Sequence, residues 1–484
     1  MVRNWRTVIS RLLLYCLKKL AKAKSSTVTR KESMLSREIH IPVWLVVSLI
    51  YSIILGVLLL ELGFYQKLVM ALILFVSVCA FFVIYFLRKY DKEVAVCDDS
   101  VTLIGLVTII SILFVILVKK NDLSPFVTPL PLAAMIINIL LGPLAAFIIS
   151  IVNILFFTIV FGGKFSLFFF SLFSVLAAIK WTEHVYHRRD ITKAGLYVSM
   201  VNAVSVIIIG FLNVESTQVI LENCKWAVIN SFGCVILTIG VLPYLEGLFS
   251  ITTNIRLLEL ADFSQPVLKK MMLEAPGTYH HSLMVGNMAE NAAQLIDANP
   301  LLVRVASYYH DIGKIDKSEY FIENKEQNVS SKHADLSPNL SSLILLAHVK
   351  EGTVLAKKHK LNKDIIDIIE QHHGTSLIHY FYKKALKSKK ETVDEEKYRY
   401  PGPKPKSKEA ALIMLADSVE AASRAARNEE DYSHSHLKHL VGRVINNKFV
   451  DGQLDECNIT LADLHKIANS FVKSLVGIYH DRIA

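Results

Sequence analysis

The segment Ser307–Ile315 reads SYYHDIGKI and places an imidazole and a carboxylate side by side at the end of an apolar stretch. The apolar residues before it recur at helical spacing, and Gly313 stands where a helix is expected to stop. The pair His310-Asp311 is therefore predicted at the end of a helix. Taken alone it is weak evidence for a functional site, because a second such dipeptide, His480-Asp481, occurs at the C-terminus without further histidines after it.

Other histidines and an aspartate extend this motif in both directions along the chain. The intervals are 29 residues from His281 to His310, 37 from Asp311 to His348 and 24 from His348 to His372, so several helices must deliver these side chains to one point. A purely structural role is disfavoured, because buried histidines and aspartates without a cation would leave many costly unpaired groups. The candidate metal ligands are His281, His310, Asp311, His348, His372, His373 and Asp417.

The chemistry of this set favours a site for two metal ions. Adjacent residues of a helix point about 100° apart, so an adjacent pair such as His372-His373 suits two ions better than one. Imidazoles and carboxylates without a thiolate favour iron or manganese, and zinc less. Two divalent ions about 4 Å apart activate water and polarise phosphoryl oxygens. The pattern therefore predicts hydrolysis of a phosphate ester.

The chain as a whole has the composition of a membrane protein, and its long hydrophobic blocks lie in the N-terminal half. Of 484 residues, 52% are hydrophobic and only 20% are charged, whereas soluble domains carry about 25% charged residues. The six cysteines form no C-x-x-C pair, which argues against a disulfide scaffold or a zinc ribbon. Hydrophobic blocks of membrane-spanning length predict about eight spans. They are Ile41–Phe64, Lys67–Leu87, Val101–Val118, Ser124–Leu141, Pro143–Phe161, Phe165–Ile179, Ala194–Asn213 and Trp226–Phe249.

Charge distribution suggests how these spans are oriented. Residues 1–40 carry ten Lys or Arg and two Glu, and so supply +8 of the net charge of +10. A basic segment directly before an apolar span is typical of a cytoplasmic membrane flank rather than of a nucleic-acid site, so we expect no DNA or RNA polymer as a partner. The basic loops Arg88–Lys92 and His187–Arg189 are then predicted on the cytoplasmic side, together with the C-terminal half. The loop Val214–Lys225 is predicted on the outer side. The basic pair Lys119-Lys120 also falls on the outer side, against the expected charge bias.

The polar residues inside the predicted spans favour an anchor or sensor over a transporter. They are Asn138, Asn153, Asn202 and Asn230, whereas ionisable residues occur only near span ends. Single asparagines more often join helices than line a pore. A transporter whose activity is regulated by the C-terminal half is kept as an alternative.

The predicted fold class is all-α throughout, with a polytopic transmembrane helical bundle followed by an all-α cytosolic domain. We divide the chain into a basic N-terminal segment (1–40), the bundle (41–250) and the C-terminal domain (251–484). The linker Ile251–Leu273 is expected to be helical, and the polar, proline-rich segment Lys383–Lys408 is expected to be a long loop.

The C-terminal domain resembles the HD-domain phosphohydrolases, and in particular the membrane-bound seven-transmembrane HD family of PgpH-type cyclic-di-AMP phosphodiesterases. The resemblance implies an HD fold with two divalent ions, and places the protein in the bacterial inner membrane. It rests on motifs between about Thr252 and Arg424, among them TNIRLLELADF, LEAPGTYHHSLMVGNMAE, SYYHDIGKI, AHVKEG, IIDIIEQHHGTSLIHYFYKKA and LADSVEAASRA.

Carried over by position, the resemblance implies that Asp311 bridges the two ions and is catalytic together with His310. One ion would bind His281, His310 and Asp417, and the other His348, His372 and His373. The implied reaction converts cyclic di-AMP to linear pApA. Lys314 and Arg424 are candidate phosphate contacts. For Lys314 a solvated lysine is the alternative, and for Arg424 an ion pair with Glu420.

Three departures from the family pattern limit what the resemblance implies. Asp316–Tyr320 replaces a stretch before FIEN that is expected to be richer in Arg and Pro, which could alter contacts in the pocket. Only Glu61–Gln66 stands where family members carry an extracellular domain, so the signal received by the membrane region is not predicted. Gly374-Thr375-Ser376 follows the histidine pair in place of Gly-Tyr-Pro, which argues against cyclic di-GMP as substrate. Cyclic di-GMP, a guanosine alarmone, and a receptor that binds a nucleotide without cleaving it are the alternatives, and homodimer formation is left open.

Overall fold

The structure, a computed structural model, describes residues 98–325, 332–388, 393–426 and 434–480. Within these ranges every regular element is helical, and the β-type pairing there is a single bridge between Leu377 and Arg399. The predicted all-α class is confirmed. The N-terminal segment 1–40 and the predicted spans Ile41–Phe64 and Lys67–Leu87 lie outside the described residues.

Six apolar helices in the first part of the described chain coincide with the remaining predicted spans. Four of them, α1, α3, α5 and α6, are long and apolar enough to cross a membrane, judged by length and composition; α2 and α4 are shorter. Gly142, at φ 93°, separates α2 from α3, and a proline opens each of these two helices. The helices are α1 (Asp98–Lys120), α2 (Leu130–Leu141), α3 (Pro143–Val160), α4 (Phe165–Trp181), α5 (Arg188–Leu212) and α6 (Thr217–Phe249).

The predicted outer loop Val214–Lys225 is wrong over most of its length. Helix α6 already begins at Thr217, because the side chain of Ser216 accepts a hydrogen bond from the backbone N–H of Val219 and caps the helix. The polar residues that suggested a loop instead form the first turns of a 33-residue helix. Within these turns Lys225 Nζ lies 2.6 Å from Glu222 Oε1, an ion pair between residues three apart that is typical of a helix surface.

Asparagine side chains join the helices of the bundle, as the sequence suggested. Asn138 on α2 donates to Thr182 Oγ1 and to a carbonyl at the end of α4, both at 2.8 Å. Asn202 on α5 donates to Ser231 Oγ on α6 at 2.9 Å, and Asn230 bonds backbone carbonyls at 2.9 and 3.2 Å. These hydrogen bonds replace the hydrophobic driving force that lipid-embedded helices lack.

The C-terminal domain consists of ten helices within the described ranges, together with short 3₁₀ segments, of which Ile312–Tyr320 matters most for the site. Its core contains buried apolar residues from nine of these helices, all but His379–Ser388. The helices are α7 (Asn254–Leu260), α8 (Pro266–Glu274), α9 (Pro276–Ala293), α10 (Pro300–Tyr309), α11 (Pro338–Lys358), α12 (Lys363–Gln371), α13 (His379–Ser388), α14 (Lys408–Ala425), α15 (His434–Val450) and α16 (Leu461–His480).

Two expectations for this domain need correction. The linker Ile251–Leu273 is not one helix, because the chain breaks at residues 261–265 between α7 and α8, where Pro266 begins a new helix. The segment Lys383–Lys408 is a loop only in part, because α13 continues to Ser388 and Glu395–Tyr398 forms a 3₁₀ turn.

The bundle and the C-terminal domain meet at the C-terminal end of α6. Arg188, the first residue of α5, lies 2.9 Å from Glu259 on α7, and Thr253 donates a short hydrogen bond to the buried Glu246 of α6. The basic loop before α5 and the C-terminal domain therefore lie on the same side of the bundle.

Close packing of α5 on α6 leads to a first prediction. A Cβ atom added at Gly195 would lie 2.0 Å from Val235 Cγ2, whereas at Gly233 it would meet nothing within 4 Å. We expect Gly195→Ala to destabilise the bundle by about 1–3 kcal/mol through overpacking, measured as a lower unfolding temperature of the full chain in detergent. Gly233→Ala is the matched control and should not lower it. The double variant Gly195→Ala/Val235→Ala should recover part of the loss; equal effects of the two single variants would contradict this packing.

Candidate metal centre

The seven side chains predicted from the sequence come together in the interior of the C-terminal domain. His281 lies in α9 and Asp417 in α14, while His310 and Asp311 directly follow α10. His348 lies in α11, and His372 and His373 follow α12. Two groups could each hold a metal ion, with ligand atoms within 4.8 Å of one another inside each group. One group is His281, His310 and Asp417; the other is Asp311, His348, His372 and His373.

The carboxylate of Asp311, which is fully buried, lies between the two groups. Its Oδ2 atom is 3.2 Å from His310 Nε2 and 3.6 Å from His281 Nε2. Its Oδ1 atom is 3.4 Å from His348 Nε2 and 3.6 Å from His372 Nε2. Each oxygen therefore faces a different set of imidazoles, which is the arrangement that a bridging carboxylate requires.

Hydrogen bonds fix the tautomer of four of the histidines. In each of them Nδ1 lies within hydrogen-bond distance of an oxygen that can only accept, so Nδ1 carries a proton and Nε2 is directed at the centre. In three cases the acceptor is the carbonyl three residues earlier, and in the fourth it is a carboxylate. The pairs are His310 with Ser307 O (2.7 Å), His348 with Leu345 O (2.5 Å), His372 with Ile369 O (2.7 Å) and His281 with Glu420 Oε2 (2.6 Å).

The lone pairs inside the cluster have no donor that satisfies them. His281 Nε2 and His310 Nε2 are buried and accept no hydrogen bond from the described residues. His348 Nε2 and His372 Nε2 lie 3.4 Å apart, with the proton of each ring on the other nitrogen. Leaving such groups unpaired in the interior is costly. Divalent cations would satisfy them all, so the residues fit the two metal ions that the sequence implied.

The electrostatics of the centre keep its carboxylates charged and two of its imidazoles neutral. Burial acts to raise the pKa of Asp311, but His310 and Lys314 outweigh it and hold that pKa well below the usual range. Burial lowers the pKa of His348 to about 3 and that of His373 well below its usual value. Metals bind the neutral imidazole and the ionised carboxylate, so these protonation states suit ligation.

His281 is the exception, because it sits between two acids. Burial acts to lower its pKa, but hydrogen bonding to Asp417 and Glu420 raises the pKa to about 10. The Nε2 atom lies 3.1 Å from Asp417 Oδ1. This part of the centre is thus strongly anionic and attracts a cation, either a proton or a metal ion.

Close contact of Gly313 with α11 sets the distance between the pair His310-Asp311 and that helix. A Cβ atom at Gly313 would lie 1.9 Å from the carbonyl oxygen of His348 and 2.4 Å from the backbone nitrogen of Gly352. Only glycine lets the turn after Asp311 lie directly on α11, and this contact places His348 beside Asp311. Sequence reasoning treated Gly313 only as a helix stop, since the contact joins segments that are distant in the chain.

A cavity of about 780 Å³ opens beside the centre. His348, His373 and Asp417 line it, together with several aromatic rings, and the ring of Tyr400 lies 4.2 Å from that of His373. Tyr400 belongs to the proline-rich segment that the sequence identified only as a loop, and it was missed as a site residue. The aromatic residues of the wall are Tyr320, Phe321, Tyr380, Phe381 and Tyr400.

The two candidate phosphate contacts occupy different positions. Lys314 is buried, with Nζ 2.6 Å from Asp311 Oδ2 and 2.9 Å from Glu323 Oε1, so it is not a solvated lysine. Arg424 forms an ion pair with Glu420 and is not among the residues that line the cavity. Glu420 itself was not predicted as a site residue, although its spacing of three from Asp417 places both on one helix face.

Comparison with known proteins agrees with this architecture. A family model described as a 7TM receptor with intracellular HD hydrolase matches residues 67–253, and an HD-domain model matches residues 278–422. The cyclic-di-AMP phosphodiesterase PgpH of Bacillus subtilis is 35% identical over 416 residues, covering 83% of this chain and 57% of that protein. Its namesake from Listeria monocytogenes is 37% identical over 391 residues, covering 80% of this chain and 53% of that protein.

The chain therefore spans about half the length of the curated relatives it matches. A solved structure of the PgpH HD domain from Listeria monocytogenes is 45% identical, covers 45% of this chain and all of that one, and gives a TM-score of 0.42. The two family models follow each other along the chain in the order of the apolar bundle and the histidine-rich domain. The chain therefore contains a region that matches the 7TM receptor family and, after it, a region that matches the HD domain family.

Proposed function

We propose that the protein is a membrane-anchored, metal-dependent phosphodiesterase that hydrolyses a cyclic dinucleotide, cyclic di-AMP, to linear pApA. The observation that carries the proposal is the position of Asp311, whose two oxygens face the Nε2 atoms of two separate sets of imidazoles. The nature of the substrate is supported by the two curated relatives named cyclic-di-AMP phosphodiesterase.

The chain's own residues would hold two divalent ions, manganese or iron. His281, His310 and Asp417 would bind one ion, His348, His372 and His373 the other, and Asp311 both. Bound metals would supply Lewis-acid activation of water and neutralisation of phosphoryl charge. Backbone carbonyls hold three imidazoles in the ligating tautomer, and burial of Asp311 and His310 keeps bulk water from competing for them.

The cavity fits a substrate with two aromatic bases and two phosphates. Its volume of about 780 Å³ lies within the range usual for ligand sites, about 300–1,000 Å³. Aromatic rings in its wall can stack on nucleobases, each worth about 1–3 kcal/mol. Lys314 also lines the cavity, and its pKa rises because the attraction of Asp311 and Glu323 exceeds the cost of burial.

The catalytic domain is proposed to face the cytoplasm of a bacterium, beneath the inner membrane. The contact between Arg188 and Glu259 supports this orientation, because it puts the basic loop 187–189 on the side of the C-terminal domain. Lys and Arg are enriched in short loops on the cytoplasmic side of membrane proteins.

The first test of this proposal is removal of the shared carboxylate. In the full chain purified in detergent and supplied with Mn²⁺, Asp311→Ala should lower cyclic di-AMP hydrolysis at least about a thousandfold and reduce bound metal from two ions per chain. Both groups would lose a ligand, and the imidazoles would face one another without a counter-charge. Product chromatography and metal analysis are the measurements, and a chelator should abolish wild-type turnover reversibly.

An exposed acid provides the control, because Glu396→Gln removes a carboxylate that lies outside the cavity. It should leave turnover and metal content unchanged. Undiminished hydrolysis by Asp311→Ala would refute the mechanism. Tight nucleotide binding by the metal-replete wild-type chain without any product would instead identify a receptor.

A second prediction concerns Glu420, which accepts the Nδ1 proton of His281. Glu420→Gln should weaken binding of the metal ion held by His281 about 10- to 100-fold. Loss of a hydrogen-bond partner that orients a metal ligand usually lowers metal affinity by this factor. Activity should return at higher Mn²⁺ concentration with an unchanged maximal rate, measured by metal titration. A lower maximal rate at saturating metal would show that Glu420 does more than orient His281.

A further inference from the structure

One lysine in the wall of the cavity has a charge that the protein itself does not balance. Lys448, on α15, lines the cavity and donates a 2.7 Å hydrogen bond from Nζ to Ser376 Oγ. No carboxylate of the described residues lies within 4.0 Å of this ammonium group, and Ser376 Oγ is its one hydrogen-bond acceptor there. Burial lowers the pKa of Lys448, against the weaker attraction of Asp417 and Asp451.

The other cations of the cavity are in different situations. Lys314 is neutralised by two carboxylates, those of Asp311 and Glu323. Lys325 and Lys384 are exposed at the rim, where water and salt screen their charge. Among the described residues that line this cavity, Lys448 is therefore the partly buried lysine whose ammonium group still has hydrogen-bond donors available for an incoming anion. An ammonium group has three donors, and Ser376 uses one.

Its position separates Lys448 from the metal centre. Ser376 follows His373 by three residues. The hydrogen bond from Lys448 to Ser376 therefore holds the ammonium group close to the segment His372-His373 after α12. Among the residues of the centre, Asp417 has the strongest electrostatic effect on Lys448, but its carboxylate lies more than 4.0 Å from the Lys448 ammonium group. A phosphate held at the metals and an anion held by Lys448 would thus occupy two different places in one cavity.

A cyclic dinucleotide has two phosphodiester groups, and only one can be attacked at a time. We propose that Lys448 binds the phosphate that is not being cleaved, and so selects substrates with two phosphates over simple phosphodiesters. This inference rests on the proposed function. In this role Lys448 positions the substrate, and its loss should raise KM more than it lowers kcat.

The test compares two substrates in the full, metal-loaded chain. Lys448→Gln should raise KM for cyclic di-AMP about tenfold to a hundredfold, the usual effect of losing a charged hydrogen bond, with kcat changed less than about threefold. For bis(p-nitrophenyl) phosphate, which has a single phosphate, KM should change less than about threefold. Lys448→Arg should restore much of the affinity because it keeps the charge.

Two control variants separate binding from structure. Lys438→Gln changes an exposed lysine of the same helix and should alter neither substrate. Ser376→Ala removes the hydrogen-bond partner but keeps the ammonium, so a purely structural role would make it reproduce Lys448→Gln. An equal rise in KM for both substrates, or an unchanged KM for cyclic di-AMP, would overturn the inference. Absence of product from the metal-loaded wild-type chain would instead refute the proposed function, and the inference with it.

Discussion

The C-terminal domain is organised around one buried negative charge, the carboxylate of Asp311. Taking an ion of this kind out of water costs several kcal/mol unless opposite charge and hydrogen bonds surround it. The protein supplies Lys314 on one side and four imidazole rings around the rest. Because those imidazoles direct lone pairs toward the carboxylate, the compensation is incomplete without cations. The cost of leaving these groups uncompensated therefore favours binding of a cation at this centre.

Helical geometry makes this arrangement reproducible along the chain. Three of the histidines donate from Nδ1 to the carbonyl three residues earlier, so the last turns of α10 and α12 and a middle turn of α11 present their rings in the same way. Two of these rings follow directly on a helix end, where carbonyls have no partner within the helix. The hydrogen bond thus satisfies the backbone and orients the ligand at once. Gly313 completes the geometry by letting two of these segments touch.

Much of this could be predicted from the sequence, and the exceptions share a physical cause. Apolar periodicity indicates that the C-terminal domain is helical and that a helix ends near His310, and the ordered motifs identify side chains that the structure brings into one cluster. The sequence could not indicate that Glu420 orients His281, that Tyr400 covers His373, or that Gly313 touches α11. Each depends on a contact between segments far apart in the chain, which periodicity does not encode. The start of α6 was misplaced because polarity was given more weight than the capping residue Ser216.

The bundle and the metal centre are linked through a short path of specific contacts. Helix α7 is held to α5 by Arg188 and Glu259, an exposed pair that contributes at most about 1 kcal/mol. On its other side, the buried hydroxyl of Tyr309 donates a 2.7 Å hydrogen bond to the carbonyl of Leu260, the last residue of α7. Tyr309 directly precedes His310, so α7 contacts the bundle on one side and the segment that carries the ligand pair on the other. Because the buried Thr253–Glu246 hydrogen bond and the packing of Ile255 add to the Arg188–Glu259 pair, α7 is the part of the linker that joins the two regions through several contacts.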